Sequence, residues 1–169
     1  TPVGFDSINL KAGVVKELPL NIDLGKSAIG VKVTSDQPIV ASVYTYVESK
    51  ASRDFIWSTP SGNLTKVSLN IDGLEPTLTM AGSAIDVNIK WKSASGKSFS
   101  KILHASDLIN WKVPPNTRLI EITSLPNALP LEGAGFIWRS TAGIAFLPFK
   151  TGSTLESSSL PISNIAIIS

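Results

Sequence analysis

Apolar and polar residues along this chain alternate with a period of two far more often than with the 3.6 of a helix. The clearest stretch is 84–91, where Ile85, Val87, Ile89 and Trp91 alternate with Asp86, Asn88 and Lys90. That pattern predicts a strand with one face in a core and the other in water. Ser93-Ala-Ser-Gly-Lys97 supplies a hairpin turn, and 99–103 the return strand. Upstream, 66–71 reads as a strand closed by the tight-turn pair Asp72-Gly73, and 77–80 as a short strand after Pro76. Residues 31–35 and 38–47 read as two strands separated by Asp36-Gln37. The second is nearly unbroken in apolar and aromatic residues, which predicts burial on both faces. Residues 135–140 and 144–149 make a similar pair. The apolar tail 160–168 reads as a closing strand that must pair, since a flat apolar edge left open aggregates. Helical signal is thin: 105–111 allows one turn before Pro114-Pro115 ends it.

The strands fall into two similar modules, the second beginning about 105 residues after the first, and such internal similarity is a signature of repeat architecture. The first runs Leu10-Lys-Ala-Gly13, then Leu24-Gly25, then 29–35 and 38–43; the second runs Val113-Pro-Pro-Asn116, then Leu131-Glu-Gly133, then 135–140 and 144–147. In each, a turn launches a strand, a loop follows, and a half-buried strand ending in Ser leads through a tight turn to a buried strand. A shorter echo, Asp54-Phe-Ile-Trp57 against Gly135-Phe-Ile-Trp138, breaks this register and is read as coincidence of strand composition.

The reading that follows is an all-β, mostly antiparallel protein with little or no helix. Its expected architecture is a β-sandwich, immunoglobulin-like or related, built from two internally repeated units. Residues 1–62 form a first unit short of strands, and 63–169 a second that includes the closing C-terminal strand. The boundary falls at 59–64, where Pro60-Ser-Gly-Asn63 interrupts the strand pattern. The first unit is expected to complete its sheet by packing against the second or by borrowing the C-terminal strand. Because the first copy lacks the strands that precede the second, the chain reads as a piece of a longer array.

Composition narrows the function classes. The chain has 169 residues, 43% hydrophobic and 17% charged, a balance that folds rather than stays disordered. Mean hydropathy is +0.20, yet no apolar run approaches the ~20 residues of a transmembrane helix. The net charge of +2 is small for a nucleic-acid binder, so no nucleic-acid partner is expected. Lys90, Lys92, Lys97, Lys101 and Lys112 read as solvated strand and hairpin positions. There is no cysteine, which removes disulfides, thiolate metal sites and a Cys nucleophile.

Catalytic chemistry finds no home in the pattern. The single histidine, His104, precedes Asp107 without a Gly-x-Ser-x-Gly elbow, and reads as a strand-end residue with a local hydrogen bond rather than a triad member. Asp6, Asp23, Asp36, Asp54, Asp72, Asp86 and Asp107 are scattered singly, mostly where an Asp makes a turn. The expectation is no enzyme, no metal and no cofactor. The tryptophans remain: Trp91 ends the inward series and reads as core, and Trp138 lies opposite Ile137 on its strand. Trp57, before Ser-Thr-Pro60, and Trp111, before Pro114, stand at loop boundaries and are the candidate exposed pair for stacking on a ligand.

Leu10-Lys-Ala-Gly13 with Val31-Lys-Val-Thr-Ser35-Asp-Gln-Pro38-Ile-Val-Ala41, and then Asp54-Phe-Ile-Trp57, resemble a recurrent pattern in large actinobacterial secreted or cell-envelope β-sandwich proteins of unknown function. Val113-Pro-Pro-Asn-Thr117 and Ile144-Ala-Phe-Leu-Pro148 are similar to that family's later segments, whereas Ser140-Thr-Ala-Gly143 replaces its second Ser-Asp-x-Pro. The resemblance implies an extracytoplasmic domain, secreted or anchored at the cell surface, with no catalytic residues to carry over. The function expected is a non-catalytic structural or adhesion-type domain of a larger envelope protein. Its partners would be other domains of that longer chain or envelope components. The alternative is a carbohydrate-binding module using Trp57 and Trp111, with a glycan as partner.

Overall fold

A computed structural model describes residues 8–19, 30–48, 53–71, 74–140 and 143–150. Their strands are β1 (Val43–Glu48), β2 (Arg53–Ser58), β3 (Lys66–Asn70), β4 (Thr77–Ser93), β5 (Ser98–Lys112), β6 (Thr117–Ser124), β7 (Gly133–Arg139) and β8 (Ile144–Pro148). No helix occurs among the described residues, and all strand pairing is antiparallel. β1 and β2 make a two-stranded sheet; the rest form one six-stranded sheet in the order β3-β6-β4-β7-β8, with β5 on the other flank of β4.

The long β4–β5 hairpin organises the molecule. Its turn is closed by Ser93 N donating to the Lys97 carbonyl (2.9 Å) and Gly96 N to the Ser93 carbonyl (2.9 Å). Gly96 takes φ 82°, a left-handed conformation that glycine adopts without penalty. β5 lines one flank of β4 along nearly its whole length; on the other flank β7 pairs with 77–81 and β6 with 87–93. Between these halves the ladder steps from Gly82↔Asp107 to Ile85↔Ala105, so β4 carries one residue more than β5. This bulge changes which parity faces inward: Leu78 and Met80 before it, Ile85, Val87 and Ile89 after it, all essentially fully buried. A bulge also bends the strand, and here the bend is large. Trp111 pairs with Leu78, which lies ~43 Å of straight strand from Trp91 at about 3.3 Å per residue. Yet the Trp91 and Trp111 rings are 5.4 Å apart. The sheet has curled so that its two halves enclose one core. That core includes Leu64, Ile120, Ile122 and Phe136, with Phe149 meeting Phe136 edge-on at 4.8 Å.

Several expected elements take a different form. Residues 105–111 are not a helical turn but continue β5, because pairing with β4 extends to Lys112. Residues 77–80 and 84–91 belong to one strand rather than two. Residues 31–35 are not a strand, and 38–47 becomes one only from Val43 onward. That strand is not buried on both faces: Tyr44 and Tyr46 are exposed, and Val40 ahead of it is fully so. No described strand pairs with 31–42, so no ladder forms there. The closing strand at 160–168, the Leu24-Gly25 loop and the Asp72-Gly73 turn lie outside the described residues.

Two of the turns compared in the sequence have the same backbone handedness. Gly13 and Asn116 both have positive φ, 76° and 59°, and Val14 N donates to the Lys11 carbonyl at 3.2 Å. After Asn116 the chain enters β6 at once; after Gly13 no strand forms among 14–19. The segment between the proposed units is stitched into the large sheet. Leu64 exchanges both backbone hydrogen bonds with Leu131 at 2.9 Å. The Ser61 hydroxyl donates to the Phe149 carbonyl (2.8 Å) and accepts from Ala134 N (3.0 Å).

Candidate aromatic binding surface

Alternation along β1 and β2 sorts their side chains onto two faces. Val43, Thr45, Val47, Asp54, Ile56 and Ser58 are half-buried, whereas Tyr44, Tyr46, Phe55 and Trp57 point to solvent. The antiparallel register sets Tyr44 opposite Trp57, Tyr46 opposite Phe55 and Glu48 opposite Arg53. The rings therefore converge: Tyr44 lies 4.9 Å from Trp57, 5.5 Å from Phe55 and 6.3 Å from Tyr46. They are tilted against one another by 37–53°, a geometry that gains contact energy while leaving ring faces open. The Arg53 guanidinium sits 4.7 Å over the Tyr46 ring, a cation–π contact that orders that end of the patch.

These rings are 42–57% exposed, a contiguous apolar surface of the kind that marks interaction sites rather than the scattered exposure any protein shows. On the opposite face the hairpin is tied to β8. Ile144 N donates to Asp54 Oδ2 at 2.9 Å, and Phe55 N donates to Asp54 Oδ1 at 2.9 Å. The platform is held by the larger sheet and presented outward. Chemically it offers ring faces, two phenol hydroxyls, the Arg53 guanidinium and the Glu48 carboxylate.

Of the expected tryptophan pair, only Trp57 lies on this surface. Trp111 is on β5, half-buried against Trp91 and packed on the core. Trp91 is half-buried and stacked on Phe99 at 5.5 Å, and Trp138 is half-buried beside Phe136 at 5.8 Å. Tyr44, Tyr46 and Phe55 escaped the sequence reading. Their signal was the alternation Val43-Tyr-Thr-Tyr-Val47, in which aromatics occupy one parity and β-branched residues the other.

The remaining candidates carry less. His104 Nδ1 lies 2.6 Å from Asp86 Oδ1. The two are directly opposed across β4 and β5, so the partner is a cross-strand neighbour and not the nearby Asp107. Among the described residues, no three His, Cys, Asp or Glu gather as metal ligands, and no helix is long and apolar enough to cross a membrane.

Residues 1–101 match the model of a family described as Family of unknown function (DUF5719), a match that includes the whole aromatic hairpin. None of the curated proteins and none of the solved structures matches the chain.

Proposed function

We propose that this chain, which belongs to the Family of unknown function (DUF5719), acts as a non-catalytic adhesion or structural domain outside the cytoplasm, within a larger envelope protein. One observation carries the reading: Tyr44, Tyr46, Phe55 and Trp57 form an exposed, mutually packed ring surface on a hairpin anchored from behind by Asp54. Aromatic clusters of this size are what binding surfaces use as anchors. In this reading the β1–β2 hairpin and the turn shared by Gly13 and Asn116 belong to repeated sandwich units. The first unit leans on the second, and further units of the longer chain would continue the array.

A second reading has its own support. Open ring faces beside phenol hydroxyls suit a sugar, whose apolar ring face stacks on aromatics while its hydroxyls hydrogen-bond, so the partner would be a glycan of the envelope. Co-sedimentation of the purified protein with isolated cell envelopes tests both. The protein is expected to sediment, and Trp57→Ala with Tyr44→Ala to weaken that at least ~10-fold, as anchor residues do. Trp111→Ala is expected to leave it unchanged. Loss after periodate oxidation of the envelopes favours the glycan; loss after protease favours a protein partner. Envelope binding indifferent to both ring substitutions, or no binding, removes the platform from the account.

A further inference from the structure

The outer face of the β4–β5 hairpin near its tip carries a second surface, chemically unlike the aromatic platform. Four cross-strand pairings define it. Lys90 lies opposite Ser100 on β5 and Glu121 on β6; Lys92 lies opposite Ser98 on β5 and Leu119 on β6. Because cross-strand partners share a face, these six side chains form a grid of two rows with the lysines at the centre. Together with Trp91 and Phe99 they line a shallow concavity of about 420 Å³. Lys90 and Lys92 are two residues apart on one strand, so their charges repeat at ~7 Å along it.

The charge is not balanced locally. Glu121 pairs with Lys66 at 3.3 Å, the other lysine–carboxylate pair described is Lys32–Glu132, and Asp86 is engaged by His104. Among the described residues no carboxylate pairs with Lys90 or Lys92. Lys97, in the turn beyond them, is exposed and adds to the same end of the hairpin.

We propose that this grid binds an acidic polysaccharide, a polymer with one carboxylate or other anion per sugar unit. Laid along β4, such a chain would set its anions on the two ammonium groups, its hydroxyls on Ser98 and Ser100, and an apolar ring face on Leu119, which is 42% exposed. A single-stranded nucleic acid is a poorer match: the two aromatics at the concavity, Trp91 and Phe99, are stacked on each other at 5.5 Å rather than set apart to take a base between them, and the net charge of the chain is only +2. An acidic peptide would satisfy the lysines but leave the serine hydroxyls and Leu119 without a role.

Isothermal titration of the whole chain tests this with four probes: polygalacturonate oligomers, neutral dextran oligosaccharides, poly-L-glutamate and oligo-dT. Polygalacturonate is expected to bind, to weaken as salt rises because exposed charges are screened, and to lose at least ~10-fold in affinity in Lys90→Ser/Lys92→Ser, as charged anchors do. Dextran is expected not to bind. Trp57→Ala is expected to leave polygalacturonate binding intact, which separates this surface from the aromatic platform, so either can fail without the other. The proposal is overturned by absence of polygalacturonate binding, or by equal or tighter binding of poly-L-glutamate or oligo-dT. It is also overturned if the double variant, with an unchanged unfolding midpoint, binds as the parent does.

Discussion

Gly135 shows how a single position can be dictated by its neighbours. It sits in β7 facing β8, and a Cβ there would come within 2.6 Å of Phe146 Cε2 and 2.7 Å of the Leu147 carbonyl oxygen. A side-chain ring can swing away, but a carbonyl in a strand ladder cannot. Gly135→Ala is therefore expected to destabilise by about 1–3 kcal/mol, the usual cost of overpacking. It should be seen as a lower urea midpoint with an unchanged m-value. Gly133→Ala, whose new Cβ would meet Ser61 at an ordinary 3.5 Å, should stay within about 0.5 kcal/mol of the parent. Equal effects from the two would show that the close approach does not exist. The same scale exposes what sequence patterning leaves undetermined. Phe55-Ile-Trp57 and Phe136-Ile-Trp138 are the same tripeptide with the same alternation, yet Phe55 is 57% exposed and Phe136 fully buried. Alternation states that the two rings of each tripeptide share a face; which face meets a core depends on strands distant in sequence. Trp57 and Trp111 were singled out for standing at loop boundaries, a property that does not report what covers them.

At the scale of elements, the bulge in β4 does the most with the least sequence. The alternation of Ile85, Val87 and Ile89 with polar residues was legible because each inward position is large and apolar. The link to Leu78 and Met80 was not, since their parity is opposite and a simple period of two would place them in water. The extra residue between Gly82 and Ile85 reconciles the two sets, and it does so with Gly82-Ser83-Ala84, small residues that look like a break between strands. Deleting Ser83 should therefore turn either Leu78 and Met80 or Ile85, Val87 and Ile89 outward. At about 1.5–3 kcal/mol per large apolar side chain, that is more than ~3 kcal/mol, a large share of the ~5–15 kcal/mol that holds a typical domain together. The expected result is loss of the cooperative unfolding transition followed by tryptophan fluorescence. Ser83→Ala, at an exposed position, should retain that transition. A deletion variant that melts like the parent would mean the register can slip without cost. The helical reading of 105–111 failed for a related reason. It used Pro114-Pro115 as a helix stop, while the strand partner that actually orders those residues lies in 77–85.

For the whole molecule, the distribution of the core bears directly on whether 1–62 and 63–169 are separate folding units. Every fully buried apolar side chain among the described residues, from Leu64 to Phe149, comes from the second span. The first contributes a two-stranded hairpin, which alone is marginal in water, and its inward residues Val43, Val47 and Ile56 are only half-covered. What fixes it is polar: Asp54 receiving Ile144 N, Ser61 bridging Phe149 and Ala134, and the exposed pair Lys32–Glu132 at 2.9 Å. The ion pair is worth little in water. Ser61 matters more, because without it the Ala134 N–H, in a buried residue, is left unpaired at a cost of about 1–3 kcal/mol. Dependence thus runs unequally between the spans. The segment 63–169 is expected to unfold cooperatively by itself, with a midpoint lowered by the loss of Ser61. The segment 1–62 is expected to show no cooperative melt and no dispersed amide spectrum. Mixing the two should restore part of the lost stability if the hairpin docks as Asp54 and Ser61 indicate. A sharp melt for 1–62 alone would instead make it an independent unit, and would place its stabilising contacts among residues outside the ladder pairs that hold β1 to β2.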